Sequence, residues 1–184
     1  VLHAAFAPAV EQQIIARNPA AVVRPPKPAR QEMRSLTTIE LSRLLEAANQ
    51  DESDFLPYAL VHLVAYTGLR RSEFLALRWS DIDWDLSRLK IVRGLHALRG
   101  GEIVYEPPKS KKGQRSVSLS PIAMGQLRAY QRSQRERLQL LEIEPDGEAP
   151  LFSADRVNPL LPATVSHAFS KLVKRLNLNG VGLH

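Results

Sequence analysis

The chain contains no cysteine. Disulfide staples and cysteine-based metal sites are therefore excluded, and the composition fits a reducing cytoplasm. No apolar run approaches the roughly 20 residues that a membrane span needs, so no membrane role is expected. The start, Val1-Leu2-His3, has neither an initiator methionine nor a signal-peptide pattern, and both ends read as cuts in a longer protein. There is no glycine-rich phosphate loop and no recognisable Ser/His/Asp spacing. His3, His96 and His167 show no partner spacing, and His62 sits in an apolar helical stretch that suits core or boundary. Neither a metal nor another cofactor is expected.

What is present is a basic chain of 184 residues, 44% hydrophobic, with net charge +6 and a pI near 9.9. The apolar fraction can supply a core, and the charge leans toward a polyanionic partner. The charge is uneven. Residues 84–137 carry 12 Lys+Arg against 4 Asp+Glu, and the rest is slightly acidic. Such a stretch is either a solvated basic face or a nucleic-acid surface.

Residues 4–17 have helix-forming composition interrupted by Pro8, and Asn18-Pro19 closes that helix. Residues 20–34 hold Pro25, Pro26 and Pro28 among Arg24, Lys27 and Arg30, an extended basic linker that serves as a tether or touches DNA. Thr37 or Thr38 caps a helix to about Asn49, with Glu40 near its positive end and Leu41, Leu44 and Leu45 inside. A buried helix is expected over 56–66, broken by Gly68, and a third over 72–78. Residues 89–95, 102–106 and 116–119 read as three strands joined by turns at 99–101 and 111–113. Pro121 opens a helix to about Leu141, and Pro162 opens a last one to about Leu176. This order is an α+β pattern, mainly helical, with a small three-stranded antiparallel sheet.

The most informative run is Thr67-Gly68-Leu69-Arg70-Arg71-Ser72-Glu73, followed by Leu77, Trp79 and Asp81-Ile82-Asp83. It resembles the first active-site box of the tyrosine recombinases, the family that includes phage integrases. Arg70 stands at a helix start where a fixed planar cation can hold phosphate oxygens. Glu73 holds that arginine or its neighbours in place, or is a surface carboxylate. Arg71 is expected to face solvent, and Asp81 to cap a turn without a catalytic role. Lys109, in Pro107-Pro108-Lys109-Ser110, matches the hairpin lysine that acts in the family as general acid toward a 5′-hydroxyl leaving group. The alternatives there are Lys111 or Lys112, or a hairpin tip that touches phosphates without chemistry. Lys111, Lys112 and Arg115 are the expected DNA contacts. His184 matches the opening of the family's His-x-x-Arg box, unless it is only a frayed terminal residue.

The resemblance spans residues 36–184, taken as a truncated catalytic domain. Residues 1–22 resemble the last helix of the upstream core-binding domain, with 23–35 as linker. It implies a bacterial or phage-derived protein that binds a double-stranded attachment site and works as a tetramer when intact. It implies strand exchange without ATP or metal, in which a tyrosine attacks a backbone phosphate to form a 3′-phosphotyrosyl bond. The family's second arginine and nucleophilic tyrosine lie past the second box, so Tyr58, Tyr66, Tyr105 and Tyr130 are not promoted to that role. The chain by itself is expected to lack cleavage activity. The other readings are a non-catalytic double-stranded DNA-binding module and a basic helical interaction domain without a DNA role.

Overall fold

The computed structural model describes residues 2–22, 34–51, 55–98, 101–108, 113–140, 142, 147–155, 157–178 and 180–183. They fall into two compact units, residues 1–32 and 33–184. In the first, helix α1 (Leu2–Glu11) accommodates Pro8 and ends earlier than its composition suggests, with Gln13 in the left-handed region. Asn18 then caps a single 3-10 turn over Pro19–Ala21 by accepting the Ala20 N–H at 2.9 Å.

In the second unit, α2 (Thr38–Asn49) starts as the sequence implies. Thr37 Oγ1 accepts the Glu40 N–H, and the Glu40 carboxylate accepts the Thr37 N–H, a reciprocal capping box. Helix α3 (Tyr58–Thr67) is apolar on most sides, and Ala59, Leu60, Val61, His62 and Leu63 are all buried. It packs between α2 and α5 (Pro121–Gln139), while α2 and the short α4 (Arg71–Leu75) contact α6 (Pro162–Arg175). Burial of α6 follows its spacing: Val165, Phe169, Leu172 and Val173 face inward at helical intervals.

The strands differ from the expectation in their number and in their pairing. The run 89–95 is not one strand. It breaks after Ile91 into β2 (Arg88–Ile91) and β3 (Gly94–Ala97). Strand β2 is the centre of a three-stranded antiparallel sheet ordered β1-β2-β5, with β1 at Ile82–Asp83 and β5 at Arg115–Ser118. Strand β3 pairs separately with β4 (Ile103–Glu106) as a two-stranded ribbon. The cause of the break is visible at Arg93. Its Nη1 donates to Asp81 Oδ2 at 2.6 Å and to the Ala76 carbonyl at 3.3 Å, which pulls the chain away from the β2 ladder.

The core runs from α2 and α3 through Phe74 and Leu75 to Leu89 and Ile91 on β2 and Leu127 on α5. Behind it, Trp79 Nε1 donates to Gln134 Oε1 at 3.3 Å, and Gln134 Nε2 donates to the Tyr130 hydroxyl at 2.7 Å. This chain ties the turn after α4 to α5 and leaves neither buried amide end of Gln134 unpaired. Among the described residues no helix is long and apolar enough to cross a membrane.

Candidate active site

Three elements converge on Glu73. The first is the turn between α3 and α4. Gly68 ends α3 in the left-handed conformation, φ +62°, and its N–H donates to the Val64 carbonyl at 3.0 Å. A Cβ added at Gly68 would meet no atom within 4 Å, so backbone torsion and not crowding calls for glycine there. Leu69 is then buried, and its neighbour Arg70 is thrown to the surface as the residue capping α4.

Glu73 lies one turn into α4. Its Oε2 accepts the Arg70 backbone N–H at 2.9 Å, and its Oε1 accepts Arg70 Nη1 at 3.2 Å. The second element, β5, brings Arg115. Its Nη1 and Nη2 donate to Glu73 Oε1 and Oε2 at 2.8 and 2.9 Å, a two-pronged pair. The Glu73 side chain is 11% exposed, Arg115 33% and Arg70 73%. Burial pushes the Glu73 carboxyl up. The Arg115 guanidinium and the Arg70 N–H outweigh that and hold it below the usual glutamate range, while the same bond raises Arg115. The carboxylate is therefore ionised at neutral pH, and the trio carries one net positive charge, presented by Arg70.

The third element is the ribbon. Arg70, Ser72 and Glu73 form one side of a cleft of about 390 Å³ whose other described lining is Arg93, Gly94, His96, Glu106, Pro107, Pro108 and Gly113. His96 Nε2 lies 4.0 Å from Glu106 Oε2 across the ribbon. A Cβ at Gly113 would overlap the Pro108 side chain, so the residues flanking 109–112 approach so closely that only glycine fits. Among the described residues no cluster of His, Cys, Asp or Glu suits a metal ion.

Of the residues singled out from sequence, Arg70, Glu73 and Arg115 come together. Arg115, expected on DNA, has both prongs on Glu73. Lys109, Lys111, Lys112 and His184 lie outside the described residues. Arg71 is exposed, and its Nη1 donates to Ser166 Oγ at 2.8 Å on α6. Asp81 is buried and does cap a turn, accepting the Arg78 N–H at 2.8 Å, but it also holds Arg93 in the cleft. Sequence reasoning missed Arg93. Its partner lies 12 residues upstream on another element, at no periodic spacing. His62 is buried between Tyr58 and Tyr66, with burial lowering its pKa.

Residues 34–184 match the sequence profile of the phage integrase family. The chain belongs to that family. Among members, it is 29% identical over 147 residues to the ICEBs1 integrase of Bacillus subtilis, covering 80% of this chain and 39% of that protein. It is 37% identical over 118 residues to tyrosine recombinase XerC of Xanthomonas campestris, covering 64% of this chain and 32% of that one. The chain thus spans well under half the length of these relatives. The Tn1549 transposon integrase in complex with a circular intermediate DNA superposes over 96% of this chain and 56% of its own, with TM-score 0.67 and 21% identity. A lambda integrase dimer bound to a core site gives TM-score 0.55 at 22% identity over 99% of this chain and 45% of its own. At this identity the superpositions speak to the fold, which is that of the family's mixed helical and antiparallel catalytic domains.

Proposed function

We propose that the chain is part of a site-specific DNA recombinase of the integrase type, whose whole form cuts and rejoins duplex DNA through a 3′-phosphotyrosyl intermediate. The observation that carries this reading is the posture of Arg70. Its backbone and one Nη are anchored on buried Glu73, while its guanidinium is 73% exposed at the rim of the cleft. A planar cation fixed at its base and open at its tip suits the nonbridging oxygens of a phosphate, on which charge grows during transfer.

Lys109 takes the role of general acid toward the departing 5′-oxygen. For Lys109 the support is the family's hairpin-lysine pattern. Lys111 and Lys112 contact phosphates of the same duplex, and His184 opens the second box; for these the support is the family pattern. The energy of the broken phosphodiester is kept in the covalent tyrosyl link, so the reaction calls for no ATP, and the family pattern includes no metal. The partner is a duplex attachment site in a bacterial cytoplasm, and the intact protein assembles as a tetramer on it. Residues 1–22 close an upstream DNA-clamping domain and 23–35 tether it.

None of Tyr58, Tyr66, Tyr105 and Tyr130 is in the described lining of the cleft. Two readings remain to be separated: the 184 residues bind DNA as part of an enzyme that cuts it, or the whole protein is a duplex-binding module without chemistry. Covalent capture on a nicked duplex separates them. The full-length protein should form a denaturation-resistant DNA adduct, and Arg70→Ala should abolish it while leaving much of the binding. An adduct that survives Arg70→Ala unchanged ends the assignment, and no adduct from the full-length protein favours the binding module. Affinity should fall with salt at a log–log slope of roughly −0.9 per phosphate neutralised.

A further inference from the structure

The Glu73 carboxylate has about four lone-pair sites to fill. Oε1 accepts Arg70 Nη1 and Arg115 Nη1, and Oε2 accepts the Arg70 N–H and Arg115 Nη2. All four are filled, and the two from Arg115 are shorter, at 2.8 and 2.9 Å, than the 3.2 Å reach of the Arg70 side chain. The buried negative charge is therefore neutralised chiefly by Arg115, which comes from β5, 42 residues away. Arg70 contributes its backbone and one loose contact, and most of its guanidinium faces the cleft.

We propose that Arg115 is a positioning residue: by neutralising Glu73 it keeps the Arg70 guanidinium turned outward and available to a phosphate. The inference rests on the reading of Arg70 as the phosphate-holding arginine. Without Arg115, Glu73 is a buried carboxylate with two empty acceptor positions. The nearest cation able to fill them is Arg70, and filling them turns its fork inward, away from the DNA. A lysine at 115 restores the charge but not the two-pronged geometry, because an ammonium is a single point donor group. The effect on chemistry is then a misplacement of one catalytic cation, not the loss of a DNA contact.

The test uses the full-length protein and covalent capture at saturating nicked duplex, with Kd and its salt dependence measured alongside. Arg115→Met should slow capture by about 10- to 100-fold, the range a misplacement on the order of 1 Å produces. Its Kd should stay within about twofold and its salt slope unchanged. Arg115→Lys should recover part of the rate. If Arg115→Met does not fold, as read by thermal melting, Arg115→Lys is the test: it keeps the charge beside Glu73, should fold, and should capture more slowly than the wild type at unchanged Kd. A salt slope reduced by about 0.9, the value of one lost phosphate contact, makes Arg115 a DNA ligand and overturns the inference. Unchanged capture by Arg115→Met, or by Arg115→Lys where the methionine variant does not fold, also overturns it, provided Arg70→Ala abolishes capture in the same assay. If Arg70→Ala captures normally, the reading of the cleft fails first and the inference falls with it.

Discussion

Helices α2 and α4 begin with the same device put to different ends. At each start a glutamate one turn inside the helix reaches back to the N–H of the capping residue: Glu40 to Thr37 at 3.0 Å, Glu73 to Arg70 at 2.9 Å. Each carboxylate is also gripped by an arginine fork from outside the helix, Arg34 at 2.9 and 2.8 Å and Arg115 at 2.8 and 2.9 Å. The difference lies in the capping side chain. Thr37 returns a bond by accepting the Glu40 N–H at 3.3 Å, closing the box. Arg70 has no acceptor, so half of the box is missing and its side chain extends outward. Helix α2 is finished locally, whereas the capping side chain of α4 is left at the rim of the cleft. The Arg34–Glu40 pair stands in solvent, where water and salt weaken it. The Arg115–Glu73 pair lies against the core, where removing one partner strands a poorly solvated charge and so costs more.

Putting threonine at the open start gives the largest expected effect. Arg70→Thr completes the box, so covalent capture by the full-length protein should fall by about 10²–10³-fold, the cost of removing one oxyanion-type donor. Stability to urea should rise by about 1 kcal/mol, the usual worth of an N-cap side chain. Loss of both would show that Arg70 holds the fold rather than the phosphate. Next, Glu73→Ala should cost about 2–3 kcal/mol of unfolding free energy in urea, below the range for fully buried pairs because Arg115 is a third exposed. Glu40→Ala should cost much less, and 1 M salt should shrink that loss by a larger share than the Glu73 one.

The two carboxylates also differ in how acid affects them. Arg34 and the Thr37 N–H lower Glu40 to about 2, and Glu73 is lowered against the opposing pull of burial. A depressed pKa contributes stability above the ordinary glutamate value of about 4.3, and that contribution is lost as pH falls through the folded value. The difference in melting temperature between the wild type and Glu73→Gln should therefore be full at pH 7 and shrink below about pH 4. The smallest effect is at the closed start, where Thr37→Ala should cost about 1 kcal/mol and leave DNA binding alone.

Legibility from sequence followed the same division between local and distant partners. The start of α2 was readable because Thr37 and Glu40 are three residues apart, and the starts of α5 and α6 because Pro121 and Pro162 stand in their first turns. Arg70 and Glu73 were readable as a pair for the same reason. The role of Arg115 was not. Among neighbouring lysines it looks like one more phosphate contact, and its partner is 42 residues upstream. The split of the 89–95 run was hidden as well, since it depends on Arg93 reaching Asp81 and the Ala76 carbonyl. Strand β1 is two residues long and leaves no pattern to read.

Gly68 sets the direction in which the cleft arginine leaves the body of the protein, and a Cβ placed there would point into open space. The constraint at that point is a torsion angle alone. Asparagine, which tolerates left-handed backbone, should be the mildest replacement, and a β-branched residue the worst although it would fit by volume. A change at Gly68 thus re-aims Arg70 through the backbone alone, with nothing around that position to repack.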